Sequence, residues 1–315
     1  MNGRIIATAL GIWLITCAQF SYAQREVMFA HYMYNTQDVN PAYVGNRQSL
    51  SVTSLNRSHW TLIFDKAPVS QSLSIHSPTG NERIGLGLSF RNETHGRERT
   101  TSFYTDFSYN VPITWESTLS MGLKAGLSMY SIPLTQLIID DPSDPAFAED
   151  YQSHWLPNFG FGVYYSSEYL YIGLSIPKFL EVNYFNNTII GGARTVLRER
   201  NYYFIAGGAI RINPEVVIVP TTFIRLQYGA PVEADLTTNF IFFDRFSLGA
   251  MLRIQDALGL LMGIKINENW TVGYSFDWSI LNRVPSFNFG SHEIVLRYDM
   301  KVFSYQNRHR GPGFF

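Results

Sequence analysis

The feature that most constrains this chain is an apolar–polar alternation of period two, repeated in segment after segment. From Trp270 one face reads Trp270, Val272, Tyr274, Phe276 and Trp278, and the other reads Thr271, Gly273, Ser275 and Asp277. From Leu119 the apolar face is Leu119, Met121, Leu123, Ala125, Leu127 and Met129, opposed by Ser120, Gly122, Lys124, Gly126 and Ser128. Near the C-terminus Ile294, Leu296, Tyr298 and Met300 oppose Glu293, Val295, Arg297 and Asp299. Side chains of a strand point alternately to its two faces, so this period specifies β-strands with one apolar face. Similar segments begin near Ile84, Phe103, Asn158, Leu170, Tyr202, Ala234, Phe246 and Leu258, with weaker ones near Leu50, Val69 and Val216. The pattern predicts about 14 strands of roughly ten residues, the length that crosses a bilayer in a barrel.

A soluble sandwich also alternates, and composition separates the two cases. Charged residues are 16% of the chain and aromatics 15%. A sandwich needs a charge-rich exterior, for which these charges are too few. In a lipid-embedded barrel the apolar face looks outward, aromatic girdles mark both interfaces, and sparse charges pair inside. Closure removes the unpaired strand edges that a bilayer cannot satisfy. The expected fold is therefore an all-β transmembrane antiparallel barrel of the outer-membrane type. Its predicted lumen-facing charges are Arg91, Asp106, Lys124, Arg253, Lys265, Asp277, Glu293, Arg297 and Asp299.

The mean hydropathy of -0.04 is too low for a bundle of membrane helices. A net charge of -1 gives no electrostatic case for a nucleic-acid partner. The chain has 1 Cys, so neither a disulfide framework nor a cysteine zinc site can form.

Residues 1–23 read as a cleavable export signal: Arg4 supplies the basic start, Ile5 to Ile15 the apolar stretch, and Ser21-Tyr22-Ala23 the cleavage site. Cys17 falls inside it. Leu14-Ile15-Thr16-Cys17 is a poor lipoprotein box, because Thr16 stands where Gly, Ala or Ser is usual. Residues 24–47 lack clean alternation yet carry Met28, Phe29, Tyr32, Met33, Tyr34 and Tyr43. Such a segment is costly in water, so it is expected either in the lumen or at the periplasmic mouth. The barrel is expected over 48–303, with a C-terminal periplasmic tail over 304–315.

Connection lengths set an orientation. With the first strand running outward, the external connections are Arg57–Ala67, Arg91–Arg99, Ser131–Ser153, Lys178–Arg200, Tyr228–Pro231, Gln255–Ala257 and Ser279–Phe289. The periplasmic ones are Pro78–Glu82, Val111–Ser117, Ser166–Glu168, Asn213–Glu215, Phe243–Arg245 and Asn267–Asn269. The longest fall outside, as in outer-membrane barrels.

The chemistry of an enzyme is not written in the chain. Its seven His have no metal-binding helical spacing, and there is no phosphate loop or Gly-x-Ser-x-Gly elbow. Gly85, Gly87, Gly160 and Gly162 read as small lumen-facing strand positions. Asp140-Asp141-Pro142-Ser143-Asp144-Pro145 could supply hard oxygens to calcium, but a solvated turn-rich loop accounts for it more simply. No catalytic residue, metal site or cofactor is assigned.

The segment Gln24-Arg25-Glu26-Val27-Met28-Phe29-Ala30-His31-Tyr32-Met33-Tyr34-Asn35, followed by Asn40-Pro41-Ala42-Tyr43-Val44-Gly45, resembles the opening of the PorP/SprF family of outer-membrane components of the type IX secretion system of Bacteroidota. The family's Arg-x-x-Trp, Pro and Ser-rich strand correspond to Arg57-Ser58-His59-Trp60, Pro68 and Gln71-Ser72-Leu73-Ser74. Gly85-Leu86-Gly87-Leu88, Asp144-Pro145-Ala146-Phe147, the run Pro157 to Tyr165 and Gly173-Leu174-Ser175-Ile176-Pro177 fit as well. The common opening Gln-Asp-Pro is replaced here by Gln24-Arg25-Glu26. The resemblance implies a non-catalytic outer-membrane protein that supports export or surface anchoring of adhesin-like or gliding cargo, in contact with periplasmic secretion machinery and outer-membrane lipid. Two rivals remain at this point: a channel for small or apolar molecules resembling fatty-acid transporters, and a barrel enzyme. A wide charged lumen would favour transport, and a plugged one a docking scaffold.

Overall fold

A computed structural model describes residues 27–59, 67–136, 150–152, 155–183, 197–198, 200–254, 256–280 and 290–302. The segment read as an export signal, the acidic stretch 140–145 and the tail 304–315 lie outside them.

The strands are β1 Leu50–His59, β2 Val69–Pro78, β3 Ile84–His95, β4 Glu98–Thr114, β5 Ser117–Ile132, β6 Leu156–Ser167 and β7 Leu170–Ile176. Then come β8 Asn201–Gly208, continued as Ile210–Asn213, β9 Val216–Gln227, β10 Glu233–Phe242, β11 Phe246–Arg253, β12 Ala257–Lys265, β13 Trp270–Ser279 and β14 Ser291–Met300. Each pairs antiparallel with the next, and β1 pairs with β14 from Leu50↔Met300 to His59↔Ser291. The sheet is thus a closed 14-stranded barrel with no open edge along its wall, as a bilayer requires.

The alternation governs which way each side chain faces. Leu123 is 62% exposed on the outer wall, as are Leu88, Phe107, Leu174 and Ile294 to similar degrees, while Ser120, Lys124, Asp277, Glu293 and Val295 are buried in the interior. In water this outer band would be an aggregation surface; in lipid it is the matched face.

One end of the barrel carries the tight connections 79–83, 115–116, 168–169, 214–215, 243–245 and 266–269, together with the start of β1 and the end of β14. We refer to it as the turn end. The other, the loop end, carries the connections of β1–β2, β5–β6, β7–β8 and β13–β14, each of nine residues or more.

Two stretches that read as connections are strand. The sequence predicts an external loop over Arg91–Arg99, but β3 and β4 stay paired to His95↔Glu98, turning at Gly96 with φ 64. The cause is the placement of its charges: Arg91 and Glu93 turn inward and pair at 2.8 Å, so their polarity marks the interior and not a loop. Val111–Ser117 likewise continues the β4–β5 ladder to Thr114↔Ser117, across an irregularity between Pro112 and Thr114.

Candidate functional site

The interior is occupied by the chain's own N-terminal segment. Residues 27–49 run from the loop-end half of the lumen to the turn end, where they lead into β1. A four-residue helix, α1 Thr36–Val39, and a 3-10 turn, Pro41–Tyr43, shape the path. Asn40 caps that turn by accepting from Ala42 N at 2.9 Å, and Pro41 at its start needs no donor there. Turn bonds such as Tyr34 N to His31 O at 2.9 Å and Asn40 N to Thr36 O at 2.8 Å satisfy part of this irregular backbone, and the wall supplies further partners to backbone and side chains.

From Asn35 to Arg47 those partners include groups on β2, β3, β4, β6, β7 and β14. Asn35 Nδ2 donates to Ser72 Oγ at 3.1 Å, and Ser74 Oγ donates to Asn35 Oδ1 at 2.5 Å. Gln37 Nε2 donates to Asp106 Oδ2 at 2.9 Å and to Leu88 O at 3.2 Å. Asn40 Nδ2 reaches the carbonyls of Val163 at 3.0 Å and Leu174 at 3.3 Å. Ser175 Oγ donates to Val39 O at 2.7 Å, and Ser108 Oγ to Val44 O. At the turn end Asn46 Nδ2 meets Ser166 Oγ at 3.1 Å, and Arg47 meets Asp299 at 3.4 Å.

Glycine makes the close approach possible. A β-carbon on Gly122 would fall on the Pro41–Ala42 backbone, one on Gly85 on the Val44 carbonyl, and one on Gly162 on the Asn40 side chain. The small residues of these strands therefore form a cleft filled by main chain, the role glycine serves wherever backbones must touch.

Apolar packing completes the seat. Met28, Phe29, Tyr32, Met33 and Tyr43 join inward residues Leu55, Tyr164, Ile205, Val219, Phe223, Met251, Leu261 and Val295 in one buried cluster. Tyr32 lies 4.8 Å from the Phe223 ring, centroid to centroid. A cavity of about 30 Å³ remains beside Val27, Phe29, Tyr32, Arg91, Tyr203 and Phe223. That is room for roughly one or two water molecules.

Around Val27–His31 the wall is a belt of paired charges. Arg57, 1% exposed, sits 2.5 Å from Asp277 and 3.1 Å from Glu293. Arg253 grips Asp235 through Nε and Nη2, both at 2.8 Å, and Arg225 pairs with Glu233. The belt also holds peptide backbone. Glu293 accepts from Ala30 N at 2.8 Å and His31 N at 2.7 Å, and its Oε1 lies 3.0 Å from His31 Nδ1. Arg91 donates to Val27 O at 3.1 Å and Arg253 to Met28 O at 3.4 Å. Fully buried charges are tolerated only when paired and hydrogen-bonded, and here the resident segment supplies part of that pairing.

Of the charges singled out from sequence, Arg91, Arg253, Asp277 and Glu293 meet in this belt. Asp106 and Lys124 form a second buried pair at 3.1 Å beneath Gln37, whose carbonyl also receives Lys124 Nζ at 3.3 Å. Arg297 and Asp299 pair at 3.0 Å near Arg47. Lys265 departs from the set: its side chain is 43% exposed and lies 3.9 Å from Glu268, beside the β12–β13 turn. Sequence reasoning missed Arg57, Glu93, Arg225, Glu233 and Asp235. Arg57 shares a strand face with Ser51, Thr53 and Leu55, so carrying the alternation two residues further would have found it. Among the described residues, no group of three or more His, Cys, Asp or Glu could hold a metal ion.

A family model described as "Type IX secretion system membrane protein PorP/SprF" matches residues 21–298. No curated protein matches the chain. Among solved structures, the "CymD monoaromatic hydrocarbon channel" superposes with a TM-score of 0.51 at 9% identity, over 87% of this chain and 94% of that one. The Acinetobacter baumannii outer membrane protein Omp33 aligns over 81% of this chain and 100% of its own, at 7% identity and a TM-score of 0.44. KdgM porin aligns over 82% and 100%, at 9% identity and 0.38. At such identities the likeness is one of fold.

Proposed function

The chain belongs to the PorP/SprF family of type IX secretion system membrane proteins, and on that premise we propose that it acts as a non-catalytic docking component of the outer membrane, supporting export or surface anchoring of adhesin-like cargo. In this reading residues 1–23 are removed on export and the turn end faces the periplasm. The tail 304–315 is then presented on that side, where the secretion machinery works, and the loop end faces outward, where cargo is held.

The observation that carries the reading is the filled lumen. A conduit for solutes needs a water-filled path, and in this barrel the residues that could line one are engaged with Val27–Ser49 and with each other. The same buried charges are paired and hold backbone, an arrangement that supports a structural role over proton transfer.

Two measurements on the intact protein test this together. Purified from outer membranes, it should carry type IX secretion components and a surface protein with it. Reconstituted in liposomes, it should pass small sugars no faster than empty vesicles. Rapid solute flux with no bound proteins would favour a channel instead.

A further inference from the structure

We propose that the loop-end half of the lumen is a binding site for a short stretch of polypeptide backbone that runs into a turn, occupied in this chain by its own residues Val27–His31. The site would therefore accept a peptide in trans when that segment is withdrawn. It is a property of the barrel wall and holds whichever cargo the protein serves.

The segment inside the barrel is held in two different ways. From Asn35 to Asn46 it is held mainly by its own side chains: Asn35, Gln37, Asn40 and Asn46 each bond to a particular wall group. Its backbone there lies against Gly85 and Gly122. That half is a sequence-specific anchor. From Val27 to His31 the polar contacts reverse, and wall side chains grip main chain. Arg91 and Arg253 donate to two successive carbonyls, Val27 O and Met28 O. The Glu293 carboxylate then receives two successive N–H groups, from Ala30 and His31. Every peptide offers those carbonyls and N–H groups, so this clamp reads chiefly backbone, with one side-chain contact added by His31, whose Nδ1 lies 3.0 Å from Glu293 Oε1. The side chains of Phe29 and Ala30 add shape: Phe29 lies under the Arg91 guanidinium at 5.3 Å, and Ala30 is fully buried. The ligand class that fits is a peptide entering a turn, with a small residue at the turn's start between large apolar or aromatic ones.

The clamp is also built to persist. Arg253 is fixed by Asp235, Arg91 by Glu93, and Glu293 by Arg57. Donors and acceptors held this way are pre-organised, which lowers the ordering cost of binding.

The test uses a variant lacking Gln24–Tyr34 and a synthetic fluorescent peptide of that sequence. The peptide should bind the folded variant saturably in detergent. The same peptide N-methylated at Ala30 and His31 loses both hydrogen bonds to Glu293 and should bind at least about tenfold more weakly. If the variant does not fold alone, refolding it with the peptide should restore the heat-modifiable barrel band, and the methylated peptide should not. Absence of both binding and rescue, or equal action by the methylated peptide, would overturn the proposal.

Discussion

Replacing Arg57 with Met tests whether the charge belt is a connected unit. The guanidinium is buried and bonded to two carboxylates, Asp277 at 2.5 Å and Glu293 at 3.1 Å. Met keeps most of the volume but leaves both carboxylates without their main cation. Breaking a buried ion pair by removing one partner costs about 3–5 kcal/mol. Here the lower end applies. Asp277 keeps Arg253 at 3.9 Å, and Glu293 keeps the N–H groups of Ala30 and His31. The expected loss is therefore about 3 kcal/mol, read from denaturant unfolding in detergent micelles by tryptophan fluorescence. Adding Asp277→Asn should cost less in the Arg57→Met background than alone, since the carboxylate has already lost its partner there. A single substitution within about 0.5 kcal/mol of the parent, the range of ordinary surface changes, or strict additivity of the pair, would refute the idea that these side chains act together.

Leu123→Arg, on the lipid face, should cost about 2–4 kcal/mol near mid-membrane, read from the same unfolding curves. Ser275→Arg, at a position with 0% exposure, should fold no better, and ready tolerance of that substitution would contradict the packed lumen. Gly122→Val drives side-chain atoms into the Pro41–Ala42 backbone and should lower stability by about 1–3 kcal/mol. Gly80→Ala, which meets nothing within 4 Å, should leave it unchanged. For orientation, Cys at Tyr228, 87% exposed at the loop end, should react with an impermeant maleimide on whole cells, and Cys at Trp115, 81% exposed at the turn end, should not. The reverse pattern would invert the topology.

The wall is legible in the sequence because its cause is local. Wherever one face meets lipid and the other meets the interior, each strand must alternate, and Trp270–Ser279 or Leu119–Met129 announce this without reference to any neighbour. Charge misleads. It usually marks solvent, so Arg57 reads as the start of a loop, yet it extends the inward face of its strand, and Arg91, read as lumen-facing, also bounds a stretch read as loop that is paired strand. The path of residues 27–49 is not legible for a different reason. Its contacts link positions far apart in sequence, such as Ala30 with Glu293 and Asn40 with Val163. Its aromatic and Met side chains indicate burial, but no periodicity can say against which strands. Gly85 and Gly162 read as small lumen residues, and Gly122 falls on the polar face of its strand. That all three face a resident backbone or its side chains becomes visible only once that segment is placed.

The central claim is that residues 27–49 lie inside the barrel, and a disulfide trap tests it most directly. Asn35 and Ser74 are hydrogen-bonded at 2.5 Å from opposite sides of the segment–wall contact. The chain's one Cys is Cys17, within the predicted signal, so an Asn35→Cys/Ser74→Cys pair has no competitor in the exported protein. In outer membranes, mild oxidation should close the bridge, shift the band on a non-reducing gel and leave neither thiol open to a small maleimide. Two free thiols that both react with maleimide would place the segment outside the lumen and contradict the account.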